Sequence, residues 1–369
     1  MRVRLGDYIK EYSVKNKNNE DIPVYSVSNS LGFCKDYFGK EVASKNKTTY
    51  KIVPRGCFAY NPSRINVGSV DWQNEEERVI VSPLYNVFSV SPLLDQQYLL
   101  YYLKSNVTLS RIRAVASGSV RDNLKLSMLY EFPIDLISLD QQYDVVSTLN
   151  AVQKIIDLYQ KGLSYLDELV RARFVEMFGD ENNSKGWEIV NIEDVANVQV
   201  GVVIKPSQYY TDQDSGIKAF RSLNIGNGYI KDDDWVYFSE EGNKKNKKSI
   251  LSTNDVLVVR SGAPGTACVV TSEYAGSNAI DVIIAHPDFQ KVDSHYLCTY
   301  TNMPHGKSQI IEGTGGAAQQ HFNVGKYNKL KLMLPPLEYQ KQYVKFLEEI
   351  DKSRLLSNHS LFLIKSIIF

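Results

Sequence analysis

Cysteine is scarce in this 369-residue chain, and its four copies, Cys34, Cys57, Cys268 and Cys298, form no C-x-x-C pair. That spacing excludes a disulfide frame and a cysteine-based zinc site, and predicts reduced, buried thiols in a cytoplasmic protein. No apolar run reaches about 18 residues, so no membrane-spanning helix is expected. The opening MRVRLGDYIK lacks the apolar stretch of a secretory signal. Excess charge of either sign is missing too, with 42 Lys and Arg against 42 Asp and Glu. Neutrality counts mildly against a polyanion partner, because such affinity comes from neutralising phosphates. The charge is uneven, however. Residues 1–133 carry 18 basic against 13 acidic side chains, and residues 134–180 carry 4 against 8. A basic face fits inside that neutral total.

Catalytic signatures are also absent. His305-Gly306-Lys307-Ser308 has the Gly-Lys-Ser of a phosphate-binding loop, but Thr301 stands where its first glycine belongs. Asn61-Pro62-Ser63-Arg64 begins like the Asn-Pro-Pro-aromatic motif of adenine methyltransferases. Ser63 and Arg64 replace the second proline and the base-stacking ring, and no cofactor-binding glycine fingerprint precedes them. Neither G-x-S-x-G nor H-E-x-x-H occurs. His321 has no second ligand at a metal-binding spacing. The expectation is a non-catalytic chain needing no cofactor and no metal.

What the sequence does contain is a copy of itself. A shift of 198 residues lays Leu139-Asp140-Gln141-Gln142 on Leu337-Glu338-Tyr339-Gln340, Tyr98-Leu99 on Tyr296-Leu297, and Gly118 on Gly316. A slightly smaller shift lays VYSVSNSLGF (24–33) on FRSLNIGNGY (220–229). Several ordered matches at nearly one offset mark an internal repeat. Each copy reads as a β-rich globular part followed by a helix.

The helices carry heptads. Val145, Leu149, Val152, Ile156, Tyr159, Leu163, Leu166 and Val170 are spaced alternately by four and three, the seam of a coiled coil. The second helix repeats it at Tyr343, Leu347, Ile350, Leu361, Ile364 and Ile368, with Arg354 and Ser357 on the seam between. Pro335-Pro336 stops the preceding strand. Core helices of ordinary globular domains are the competing reading. A helix of about 34 residues is roughly 50 Å long at 1.5 Å per residue, the length of a spacer.

The globular parts, 1–133 and 181–336, show short strand-like runs. These are PVYSVS, RGCFAYN and RVIVSPLYNVFSV in the first, and DVLVVRSG, ACVVTS and AIDVIIAHP in the second. Short helices are predicted at 95–106 and 293–303. The Lys- and Asn-rich stretches 15–21, 44–51 and 242–249 read as exposed loops. The fold class is therefore α+β, with two similar mixed domains.

The repeat, LPPLEYQKQ opening the last helix, NDVLVVRSGAPG and YNPSRINVGS together resemble the specificity subunit of type I restriction–modification enzymes. The resemblance covers nearly the whole chain. It implies two target recognition domains, 1–133 and 181–336, each reading one half of a split site in double-stranded DNA. It implies that 134–180 and 337–369 are spacer helices paired antiparallel in an intramolecular coiled coil. The partners it implies are two methyltransferase subunits and two restriction subunits, with no membrane. Competing classes are a coiled-coil interaction scaffold without DNA, and a nuclease or methylase with an unrecognised site.

Candidate DNA contacts follow from residue type. Asn61, Ser63, Arg64 and Asn66 lie in a Gly/Pro/Asn-punctuated loop, and an Arg fork beside amides and hydroxyls reads guanine and adenine edges or clamps phosphates. Arg260 and Ser261 follow a strand in the second half, where FRSLNIGNGY adds Arg221 and Asn224. Ser119 and Arg121 in SGSVRDNL are matched by Gln319, Gln320 and His321 in GTGGAAQQHF. Glycines in both segments permit close backbone approach. Lys244, Lys245, Lys247 and Lys248 are phosphate contacts or a solvated stretch.

Overall fold

A computed structural model describes residues 1–35, 46–116, 123–314 and 322–368. The chain divides into two compact units, Met1–Tyr159 with Ser360–Phe369, and Gln160–His359.

In the first unit, strand Arg2–Arg4 pairs antiparallel with Pro133–Asp135, the strand that feeds the first long helix. A four-stranded sheet runs in the order Ile9–Glu11, Asn86–Val90, Phe58–Tyr60, Val70–Trp72. Helices Gln96–Lys104 and Asn106–Ala116 cover it and share its apolar core, in which Phe58 stacks on Phe88 at 5.0 Å. A second core gathers Val53, Val79 and Val81 from strands Lys51–Pro54 and Arg78–Val81.

The second unit repeats this plan. Glu188–Asn191 pairs with Lys331–Leu334, and the matching sheet runs Ala196–Val200, Val282–Pro287, Val256–Val259, Ala267–Val269. The short helices fall at Gln96–Lys104 and Ser294–Asn302, inside the predicted ranges, and are capped by Asp95 and Asp293. Small hydrogen bonds repeat as well. Tyr98 donates to the Asp135 carbonyl at 3.0 Å and Tyr296 to that of Met333 at 2.7 Å.

One predicted loop is helical. Within 242–249, the chain forms the end of helix Glu240–Lys245 and then a 3₁₀ turn, Lys247–Ser249. Ser239 accepts from the Gly242 N–H, Glu240 and Glu241 occupy the first turn, and Lys244 and Lys245 the last, all favourable against the helix dipole.

The long helices run Leu139–Phe178 and Leu337–Ile368, 40 and 32 residues. Burial on the first follows the heptad: Leu149, Val152, Tyr159, Leu163, Leu166 and Val170 are half-buried and Ile156 is buried. Val145 departs from it, being 38% exposed. The stripe passes through Gln142, Val146 and Leu149 there, and Val145 lies one residue, about 100°, off it. On the second helix Tyr343, Leu347 and Ile350 are buried, and Arg354, Ser357, Leu361 and Ile364 are half-buried.

Within the second unit the two helices are antiparallel. Asp167 meets Arg354 at 2.6 Å, whereas three residues further along the first helix the Val170 carbonyl meets the Tyr343 hydroxyl at 3.3 Å. Their ends are seated by aromatic rings. Phe174 and Phe178 pack on Tyr296 at 5.8 and 4.8 Å and on Tyr343 at 5.5 and 5.4 Å. His305, buried beside Phe174, donates from Nε2 to the Gly179 carbonyl at 3.1 Å, where the helix ends.

Phe174→Ala removes a fully buried ring from this seat. It is expected to cost the second unit about 3–5 kcal/mol. Urea unfolding read through Trp187 and Trp235 checks it, and an unchanged midpoint for that transition would show that the rings do not hold the helix end.

Candidate nucleic-acid interface

In the first unit the loop 61–68 is built to present its tip. The Asn61 side-chain oxygen accepts from the Ser63 N–H at 3.1 Å and its hydroxyl at 2.9 Å, which closes the turn. Buried Ile65 pins the loop down, and Gly68 ends its 3₁₀ turn at φ +89°, a conformation that favours glycine. Ser63 and Arg64 are left exposed, and the Arg64 guanidinium has no hydrogen-bond partner among the described residues. Asn66 is half-buried, and its carbonyl accepts from Arg113 Nε at 3.2 Å. Arg113, on helix Asn106–Ala116, thus joins Arg64 at one place. The Leu124 N–H donates to the Pro62 carbonyl at 3.0 Å and ties the following segment to the same loop. Ser119 and Arg121 lie outside the described residues.

The second unit has the same tie, from the Phe322 N–H to the Arg260 carbonyl at 3.0 Å. Both ends are displaced by 198, so Arg260 is the mate of Pro62, and Gly262 is the mate of Arg64. The Arg260 side chain is only 15% exposed. Its Nη1 meets Asp281 at 2.5 Å and its Nε donates to the Phe322 carbonyl at 3.1 Å. Asp281 holds this position at φ +49°, in the left-handed region. Arg260 is therefore a fastening within the loop rather than a free fork. Ser261 is half-buried beside it. Gln319, Gln320 and His321 lie outside the described residues.

Arg221 and Asn224 are likewise turned inward. Asn224 is fully buried, accepting from the Arg221 N–H at 2.9 Å and donating to the Asp233 carbonyl at 2.8 Å. Arg221 pairs with Asp234 at 3.2 Å and donates to that residue's carbonyl. Both amide groups of Asn224 are used within this turn, and Arg221 is tied to it through Asp234.

Lys244, Lys245, Lys247 and Lys248 are all exposed. Beneath them lies a buried polar network. Asn278 donates to Asn243 Oδ1 at 2.7 Å, and Ser249 donates to Asn278 Oδ1 at 2.7 Å. Four cations are thereby carried on a fixed base. Lys218 lies against the neighbouring rings of Trp235 and Tyr274, 4.8 and 4.9 Å from their centroids. Its ammonium, then the Trp235 N–H, hold the Asp232 carboxyl below its ordinary range. Burial, then contact with Asp232, pushes Tyr274 up to about 12.

Among the described residues no group of three or more His, Cys, Asp or Glu is placed to hold a metal ion. Cys57, Cys268 and Cys298 are buried free thiols and Cys34 is half-buried. No helix is long and apolar enough to cross a membrane, again among the described residues.

Comparison with known proteins matches both halves to one family. The model of the type I restriction modification DNA specificity domain fits residues 4–166 and 184–364. A specificity subunit from Methanocaldococcus jannaschii, that of type I restriction enzyme MjaVIII, is 21% identical over 95% of this chain and 85% of its own length. The EcoBI specificity subunit of Escherichia coli is 21% identical over 44% of this chain and 35% of itself. A chain solved in work on complex assembly and conformational transition of the type I R-M system has a TM-score of 0.64 at 14% identity, covering 100% of this chain and 95% of its own. The type I restriction-modification S subunit from M. genitalium gives 0.52 at 13% identity, covering 100% and 93%, so the fold is shared. Matched in both halves, this chain belongs to the type I restriction–modification DNA specificity family.

Proposed function

We propose that this chain reads a two-part DNA target for a type I restriction–modification enzyme and does no chemistry itself. Residues 1–133 and 181–336 are the two reading domains, and 134–180 and 337–369 the spacer helices. One observation carries the reading: in a DNA specificity family, the same loop, short helices and long helix occur twice, with the loop tied to the same neighbouring segment by the same hydrogen bond. In the first domain Arg64 and Arg113 are the contacts, joined by Ser63, Ser119 and Arg121. In the second, Lys244, Lys245, Lys247 and Lys248 clamp phosphates, and Ser261, Gln319, Gln320 and His321 are the further contacts. Arg221, Asn224 and Arg260 hold loops in shape.

Two methyltransferase subunits dock on the spacer helices, and two restriction subunits join them. Exposed apolar side chains support this. Ile155, Leu158, Tyr165 and Leu169 on the first helix are 44–67% exposed, and Leu355, Leu356, Phe362 and Leu363 on the second are 46–71% exposed. Exposed apolar runs of this kind mark protein docking sites.

The deciding experiment is methylation mapping. Alone, the chain is expected to transfer no methyl group, and with its cognate methyltransferase subunits it directs methylation to a discontinuous site. Methyl transfer by the chain alone, or methylation without a split site, would overturn the reading.

Arg64→Ala is expected to relax one half-site, with a loss of about 1–3 kcal/mol if it reads a base. If it contacts phosphate, all sequences weaken alike and the salt dependence flattens by about one unit of slope. Selection from random DNA distinguishes these outcomes, and thermal stability is unchanged in both. Arg260→Ala instead lowers stability by about 1–3 kcal/mol, because the Phe322 carbonyl and Asp281 lose a charged partner.

The spacer reading is checked by duplicating one heptad in both helices at matched layers. Seven residues keep the seam in phase. They lengthen each helix by about 10 Å, equal to about three base pairs at 3.4 Å. Unchanged half-sites with a longer gap are expected. An unchanged gap at full activity would show that the helices set no distance.

A further inference from the structure

Two side chains outside every candidate contact make the same unusual arrangement in both units. Gln142, in the first turn of the first long helix, is fully buried. Its oxygen accepts from the Asp95 N–H at 2.8 Å, and its amide donates to the Leu93 carbonyl at 3.0 Å and the Ile137 carbonyl at 2.9 Å. Gln340, in the first turn of the second long helix, is also fully buried. It accepts from the Asp293 N–H at 2.8 Å and donates to the Lys291 carbonyl at 3.1 Å and the Pro335 carbonyl at 2.8 Å. Every partner is displaced by 198.

The chemistry explains why glutamine stands there. The three backbone groups are one donor and two acceptors, gathered around a side chain that is itself fully buried. Only an uncharged primary amide on a two-carbon stem supplies one acceptor and two donors to them. A carboxylate would set its negative oxygens against two carbonyls, and an alkyl side chain would match none of the three groups. The neighbouring amide is not repeated in this way. Gln141 is exposed and caps Ser138, and its mate is Tyr339.

The groups it joins are informative. Asp95 and Asp293 are the caps of the short helices that lie in the globular cores, accepting from the N–H groups of Tyr98 and His295. Ile137 and Pro335 belong to the links between the last strand and the long helix. A second tie, from the Tyr98 or Tyr296 hydroxyl, joins the same short helix to the strand just before each link. A link tied on both sides is restrained in how far it can redirect the helix.

We propose that Gln142 and Gln340 are positioning residues that fix the direction in which each long helix leaves its globular part, and thereby hold the gap of the DNA target to one length. The inference rests on the reading of the chain as a two-part DNA reader. It adds that the strictness of the gap comes from two amide joints as well as from helix length.

The test uses the full chain assembled with its cognate methyltransferase subunits, on DNA in which the two half-sites are separated by every short gap. Variants are Gln142→Met and Gln340→Met, which remove all three hydrogen bonds, and Gln142→Glu and Gln340→Glu, which keep an acceptor for the aspartate N–H but set a carboxylate against the two carbonyls. The half-site sequences are expected to stay the same, while methylation at neighbouring gap lengths rises about tenfold relative to the wild-type gap, the scale set by losing one or two hydrogen bonds of restraint. Both kinds of variant are expected to show this. Wild-type gap selectivity in variants that methylate the normal site at the normal rate would overturn the proposal. Amide hydrogen exchange at Asp95 and Asp293 supplies a reading without DNA: fast exchange in the variants is expected, and full protection would overturn the joint. If the wild-type complex methylates no split site, the functional reading fails, and the exchange measurement still judges the joint.

Discussion

A long amphipathic helix is stable only where its apolar face and its ends are both covered, and the second unit meets that requirement with aromatic rings. Phe174 and Phe178 at the end of one helix pack both on Tyr343 near the start of the other and on Tyr296, a core residue of the globular part. Each buried ring removes on the order of 150–250 Å² of surface from water. At about 25 cal/mol per Å², one ring contributes several kcal/mol. Helix and globular core therefore share one hydrophobic cluster. The sheet, the short helix Ser294–Asn302 and the loops set on them take their positions from it.

Periodicity was the most legible property of the sequence. A heptad survives any change of residue that keeps the spacing, and the half-buried positions follow it from Leu149 to Val170. The repeat was legible for the same reason: it is a pattern of positions, and the strand order of the two main sheets reproduces it. Individual side chains were harder. Arg64 and Arg260 look alike as residues after a strand, but hydrogen bonding aligns Arg260 with Pro62. Nothing local in the sequence announces that Asp281, 21 residues on, holds its guanidinium. Asn224 is polar yet fully buried, because a turn can consume both ends of an amide.

Arg113 was missed because its signal is three-dimensional. It sits among ordinary helix residues, 47 positions from the loop it reaches. The lysine-rich stretch misled in the other direction. Its composition suggests a solvated loop, whereas the cap at Ser239 and the buried Asn243 give it a helix. Composition reports the average environment of a segment, and a single cap or buried amide overrides it.

The network of Asn243, Asn278 and Ser249 separates two tasks within a few residues. Asn243 and Ser249 point inward to a closed set of hydrogen bonds with Asn278, and the four lysines between them face solvent. Substitutions at solvent-facing positions away from caps and networks usually change stability by within about 0.5 kcal/mol. The outward side chains at 244, 245, 247 and 248 can therefore drift through many chemical types while their backbone stays in place. Surface chemistry at these four positions is thereby separable from folding, with Asn243 and Ser249 as the fixed points of the backbone.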